Sequence, residues 1–173
     1  MEKRVMTHVQ KGLLVSLILI VIGIAGYFTK LFEQSWFSWA SNGILCIAVI
    51  WGCITYANQM NGQVTFGNVF THGFKMSVVV ALILIVWVLL AMTVLFPEMK
   101  DKTLEMARQR MEERGNLSDS QIEQGVEFTK KFFIPFAIGG TLLGTLIFGT
   151  VASLLGAAVA KKKPVNPLDQ MAA

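Results

Sequence analysis

Long apolar runs alternate with short polar links along the chain, and the charges are crowded into the links. The runs cover about residues 12–28, 36–57, 76–96 and 132–160. A helix rises ~1.5 Å per residue and the hydrocarbon core of a bilayer is ~30 Å thick, so ~20 apolar residues cross it. Each run therefore predicts a membrane-spanning helix. The third is the cleanest, with no charged residue from Met76 to Phe96 and Pro97 marking its end or a kink. The fourth exceeds what a bilayer needs and predicts tilt or protrusion. The expected fold is an all-α membrane protein: a four-transmembrane-helix bundle forming a single membrane domain over residues 1–173.

The links predict the rest. Only Lys30 and Glu33 are charged between the first two runs, so these pair as an antiparallel hairpin. Trp36, Phe37 and Trp39 open the second run and Tyr56 closes it, as suits rings at both membrane interfaces. Asn61-Gly62 is a turn signal, because both residues tolerate positive φ. Thr65 is placed to cap a helix starting near Phe66, which is expected to lie at the interface ahead of the third span. Phe66, Phe70 and Phe74 share one face of it; Asn68, Thr71, His72 and Lys75 form a polar stripe. Residues 97–131 read as two helices broken at Gly115-Asn116, a protruding helical hairpin between helices 3 and 4. Leu104, Ala107 and Met111 form one apolar stripe, and Ile122, Val126 and Phe133 the other. Ser118 with Gln121 three residues later is a capping-box signature.

Composition agrees with lipid as the solvent. Charged residues are 15% of the chain, against roughly a quarter in a soluble domain. The net charge of +4 does not point to nucleic acid, because lysines and arginines gather at the ends of apolar runs and lack interleaved aromatics. Four spans put both termini on one side. Lys and Arg counts on the two sides are nearly equal, but those flanking the first and last spans are almost uncompensated by acids, whereas residues 97–131 mix both signs. Both termini are therefore expected in the cytoplasm. Cys46 and Cys53, seven positions apart on one helix, are too distant to pair and read as small packing residues.

The fourth run carries a seam of small residues, including Gly140, Gly144, Gly149 and Gly156. Such seams let helix backbones approach in lipid. The expectation is packing within the bundle, with a homo-oligomer face as the alternative.

The polar loop Asn61-Gly62-x-x-Thr65-Phe66-Gly67-x-x-Phe70-x-x-Gly73-Phe74-Lys75, Pro97, the charged hairpin with Gly115 and Ser118-Asp119-x-Gln121-Ile122-Glu123, and the last span ending in lysines together resemble one family over nearly the whole chain. It is the domain of unknown function 4199 family of bacterial inner-membrane proteins. The resemblance implies a four-span inner-membrane protein with no established activity. It also suggests an association with glycosyltransferases that act on sugar-lipids.

Candidate chemistry is sparse. No ionisable residue falls inside the four apolar runs as bounded above, which argues against proton- or ion-coupled transport. His8 and His72 are isolated in sequence and read as interfacial polar residues rather than a metal pair. No phosphate loop or nucleophile elbow is present, so a non-enzymatic protein without cofactor is expected, a scaffold or accessory subunit of an envelope process. The alternative is binding or moving a phosphate-bearing lipid. Its candidate head-group site is Asn68, His72 and Lys75, which join an amide, an imidazole and a cation near a helix start.

Overall fold

The computed structural model describes residues 6–113 and 115–163. Its helices are α1 (His8–Phe28), α2 (Ser35–Gln59), α3 (Phe66–Leu90), α4 (Glu98–Glu113), α5 (Asp119–Lys131) and α6 (Phe133–Val159). A π-helical turn, Ala91–Leu95, extends α3, and a short 3-10 turn, Leu31–Glu33, joins α1 to α2. There is no strand among the described residues. Four helical stretches are long and apolar enough to cross a membrane: His8–Phe28, Trp36–Gln59, Phe66–Leu95 and Phe133–Val159. The protein is an integral, multi-pass membrane protein.

The chain divides into two compact units, Met1–Ile83 with Gly144–Ala173, and Leu84–Leu143. In the first unit the outside is as apolar as the inside. Leu13, Leu17, Val21, Trp39, Ile47, Leu82, Ile147 and Leu155 are exposed, while Ser16, Ser77, Thr145 and Ser153 are buried. Helices that are apolar all round need an apolar solvent. The buried serines satisfy their hydroxyls within their own helices: Ser16 donates to Gly12 O at 2.8 Å, Ser77 to Gly73 O at 3.0 Å and Ser153 to Gly149 O at 2.6 Å. Glycines then set the helix spacing. A Cβ on Gly12 of α1 would lie 2.8 Å from Val79 Cγ1 of α3, and one on Gly156 of α6 would lie 2.7 Å from Cys53 Cβ of α2. A Cβ on Gly149 would overlap Ser77. Gly140 and Gly144 behave differently from the expected packing seam, since a Cβ on either meets nothing within 4 Å. The packed face of α6 in this unit runs through Thr145, Gly149, Ala152, Ser153 and Gly156, so Gly149 and Gly156 meet a neighbour and the Gly140/Gly144 pair does not. Cys46 and Cys53 are both free thiols.

The α2–α3 loop is the tight turn that Asn-Gly predicts. Asn61 and Gly62 have φ of 54° and 79°, and Gln63 N–H donates to Met60 O at 2.9 Å. Two positive φ values in succession are the mirror-image turn that Asn-Gly favours. The segment just after α6 is tied to this loop, with Lys163 N–H donating to Gly62 O at 2.9 Å and Lys162 Nζ 5.3 Å from the Phe66 ring centroid. Thr65 caps α3, its Oγ1 accepting from Asn68 N–H at 3.2 Å. From there α3 runs without interruption to Leu90. The separate interfacial helix expected before the third span is therefore the first part of that span's own helix. Nothing between Phe66 and Met76 breaks it, since Gly73 alone is tolerated inside a helix at a cost of ~1 kcal/mol. At ~1.5 Å per residue the 30 residues of Phe66–Leu95 exceed what the hydrocarbon requires by about ten. Because the uncharged stretch begins at Met76, that surplus is the polar, N-terminal end. At the other end Phe96 N–H donates to Ala91 O at 2.7 Å, the wider π pattern, just before Pro97.

In the second unit α4 and α5 form the expected helical pair. Leu104, Ile122 and Phe133 are buried, and the Met111 Sδ lies 3.0 Å from where a Cβ on Gly125 would sit. Gly115 turns the chain with φ of 68°. Ser118 N–H donates to Gln121 Oε1 at 2.9 Å, the side-chain return of the predicted capping box.

Candidate functional site

A cavity of about 430 Å³ opens in the first unit. Asn68, Thr71, His72 and Lys75 of α3 line one wall, so all three candidate head-group residues share it. Met6, Thr7 and His8 contribute from the start of α1, and Tyr56 from the end of α2. The polar stripe follows from helical spacing, but its members differ in burial. Asn68, Thr71 and Lys75 are exposed, whereas His72 is 8% exposed. The Tyr56 ring stacks on the His72 imidazole at 4.1 Å between centroids and 12° between planes, and His8 meets it edge-on at 5.9 Å. The two histidines that are isolated in sequence thus meet in space. Among the described residues no group of three or more His, Cys, Asp or Glu side chains is arranged to hold a metal ion.

Behind His72 lies a residue that the hydropathy pattern assigns to a solvated flank. Lys11 is fully buried. Its Nζ is 3.1 Å from Gly52 O, 3.4 Å from Gln59 Oε1 and 3.4 Å from His72 Nε2. One side chain of α1 therefore reaches both α2 and α3. Two of the helices begin before the apolar runs do, so the spans contain titratable nitrogens after all: His8 and Lys11 in α1, His72 and Lys75 in α3. The signal for this was present in the sequence. Thr7 and Gln10 form a capping box, with Gln10 N–H donating to Thr7 Oγ1 at 3.2 Å and Thr7 N–H to Gln10 Oε1 at 3.1 Å. That box starts α1 at His8 and puts Lys11 one turn inside, on the same face as Val15 and one position from Gly12, all three buried. Tyr56, read as an interfacial ring, forms part of the cavity wall.

The wall is rich in hydrogen-bond donors: the Lys75 ammonium, the Asn68 amide and the Thr7, Thr71 and Tyr56 hydroxyls. No carboxylate lines it among the described residues. Such a wall suits an acceptor-only, negatively charged group.

The family profile described as "Protein of unknown function (DUF4199)" matches residues 10–162. The chain belongs to this family. Membership covers all four spans, the α2–α3 loop and the α4–α5 pair, and it agrees with the resemblance drawn from the loop, hairpin and last-span motifs. No curated protein matches the chain. No solved structure matches it either.

Proposed function

We propose that this DUF4199 member is a non-enzymatic protein of the bacterial inner membrane that binds the phosphate of an anionic lipid head group in the cavity of Asn68, His72 and Lys75. The supporting observation is that one polar cavity gathers a cation, an amide and an imidazole at the polar end of α3. Head groups occupy that depth, and phosphate oxygens accept from such donors. The Lys161–Lys163 segment, tied to the neighbouring α2–α3 loop, adds positive charge at the same end of the unit. In this reading both termini and the cavity face the cytoplasm.

Native mass spectrometry of the gently extracted protein tests the reading. Anionic phospholipid is expected to remain bound in preference to zwitterionic lipid. Lys75→Ala is expected to weaken the retained lipid roughly tenfold, the value of one charge-assisted hydrogen bond. An identical lipid profile for wild type and variant would count against the proposal.

A second reading, an accessory subunit of an envelope process, is favoured by the α4–α5 pair. Its exposed surface mixes both signs of charge, as in the Arg108–Glu112 ion pair at 3.0 Å. A partner such as a glycosyltransferase should then crosslink to α4 or α5 at native expression, and repeated failure to recover a specific partner would remove this reading.

A further inference from the structure

We infer that Lys11 is a positioning residue of the cavity, fixing His72 in the tautomer that carries its proton on Nδ1, so that the ring donates a hydrogen bond to a phosphate oxygen. This inference rests on the head-group reading above and names the group that would contact the ligand.

The argument starts from the three contacts of the Lys11 Nζ. The carbonyl oxygen of Gly52 and the amide oxygen of Gln59 are acceptors only. An ammonium has three N–H donors and no lone pair, so its third contact must also be an acceptor. That contact is His72 Nε2. With the Nε2 lone pair engaged, a neutral imidazole keeps its proton on Nδ1. Among the described residues the other ring contacts of His72 are the stacked Tyr56 ring and the perpendicular His8 ring, and no hydrogen bond from Nδ1 joins it to either. Among the described residues no fully buried side-chain nitrogen or oxygen lacks a partner. Nδ1 therefore retains accessible surface, on a residue that lines the cavity. The result is a donor held in plane by Tyr56 and left for a ligand to satisfy.

Charge points the same way. Lys11 is buried and touches no carboxylate among the described residues, and Lys75 lines the cavity in front of it. A buried cation without a counter-ion is unfavourable, and an anion next to it relieves that cost. A phosphate ester supplies both the negative charge and the acceptor oxygen. The same chemistry would take free phosphate, so the test separates the two sources.

The test uses the full chain in maltoside micelles, which carry no phosphate, with ¹⁵N-labelled histidine and His8→Gln to assign His72. Without ligand, the His72 nitrogens should report a proton on Nδ1. Lys11→Met should move it to Nε2, the form preferred by imidazole in water. Lys11→Arg, whose guanidinium also only donates, should preserve the Nδ1 form and guards against a Lys11→Met chain that does not fold. A wild-type proton on Nε2, or a tautomer unmoved by Lys11→Met in a folded protein, overturns the role of Lys11 and leaves the head-group reading standing. Short-chain phosphatidic acid and inorganic phosphate are then titrated. Phosphatidic acid should bind and perturb Nδ1, and Lys11→Met should weaken it about tenfold. Competition by inorganic phosphate at equal concentration would reassign the site to free phosphate. A correct tautomer with neither probe bound would overturn the head-group reading and the ligand-facing half of this one.

Discussion

At the scale of single residues, the contrast among the glycines of α6 is the sharpest prediction. Gly156 has no room, since a Cβ would stand 2.7 Å from Cys53 Cβ and 3.2 Å from Ile50 Cα, a backbone atom that cannot swing aside. Gly156→Ala should cost ~1–3 kcal/mol as overpacking. Gly144→Ala meets nothing and should gain up to ~1 kcal/mol from reduced backbone freedom in the unfolded chain. Thermal unfolding midpoints in one detergent should therefore move in opposite directions; a shared direction would show that the small-residue seam acts as a single unit. Sequence alone could not separate the two glycines, because they lie on one apolar helix whose hydropathy is the same all round. The direction of packing is set by what stands opposite, here Cys53 and Ile50 of α2. The same reason hid Lys11. A lysine beside an apolar run ordinarily snorkels to water, and only the acceptors on α2 and α3, remote in sequence, show that this one turns inward. Asn68, His72 and Lys75 were legible as a stripe because helical spacing is local.

Elements were easier to read than their ends. The four spans, the Asn-Gly turn, the Thr65 cap and the α4–α5 pair all follow from periodicity and local capping chemistry. The start of α1 at His8 and the continuity of the helix from Phe66 into the third span escape the hydropathy pattern, because it marks where lipid begins rather than where the helix does. The α4–α5 pair carries its own prediction. It buries few large side chains, Leu104 and Ile122 among them, at ~1.5–3 kcal/mol each when fully buried. That is small against the entropy of ordering the segment. A peptide of residues 97–131 should consequently be mostly unfolded, whereas in the intact protein the amides of Leu104–Met111 and Ile122–Phe128 should resist hydrogen exchange. Fast exchange at both stretches in the intact chain would mean that the pair is not a stable element.

For the whole molecule, topology is the quantity to test. With Cys46 and Cys53 replaced by alanine, a cysteine at Leu117 should be labelled from the periplasm by an impermeant maleimide and one at Lys162 should not. Labelling of the second alone would invert the proposed orientation and move the cavity to the other face. Number and order of spans were readable because lipid imposes one requirement on every crossing segment, whereas orientation depends on a charge balance that nearly cancels. The three-point contact of Lys11 also has a meaning for biogenesis. When α1 first enters the membrane, neither Gly52 nor His72 has been inserted beside it. Lys11 sits in the first turn of α1, and a lysine so near a helix end can snorkel to water until its partners arrive. Arrival of α2 brings two of its acceptors and arrival of α3 the third. A chain truncated after α2 would leave the third N–H without its protein partner, so completion of this contact marks the moment at which three helices have become one assembled body.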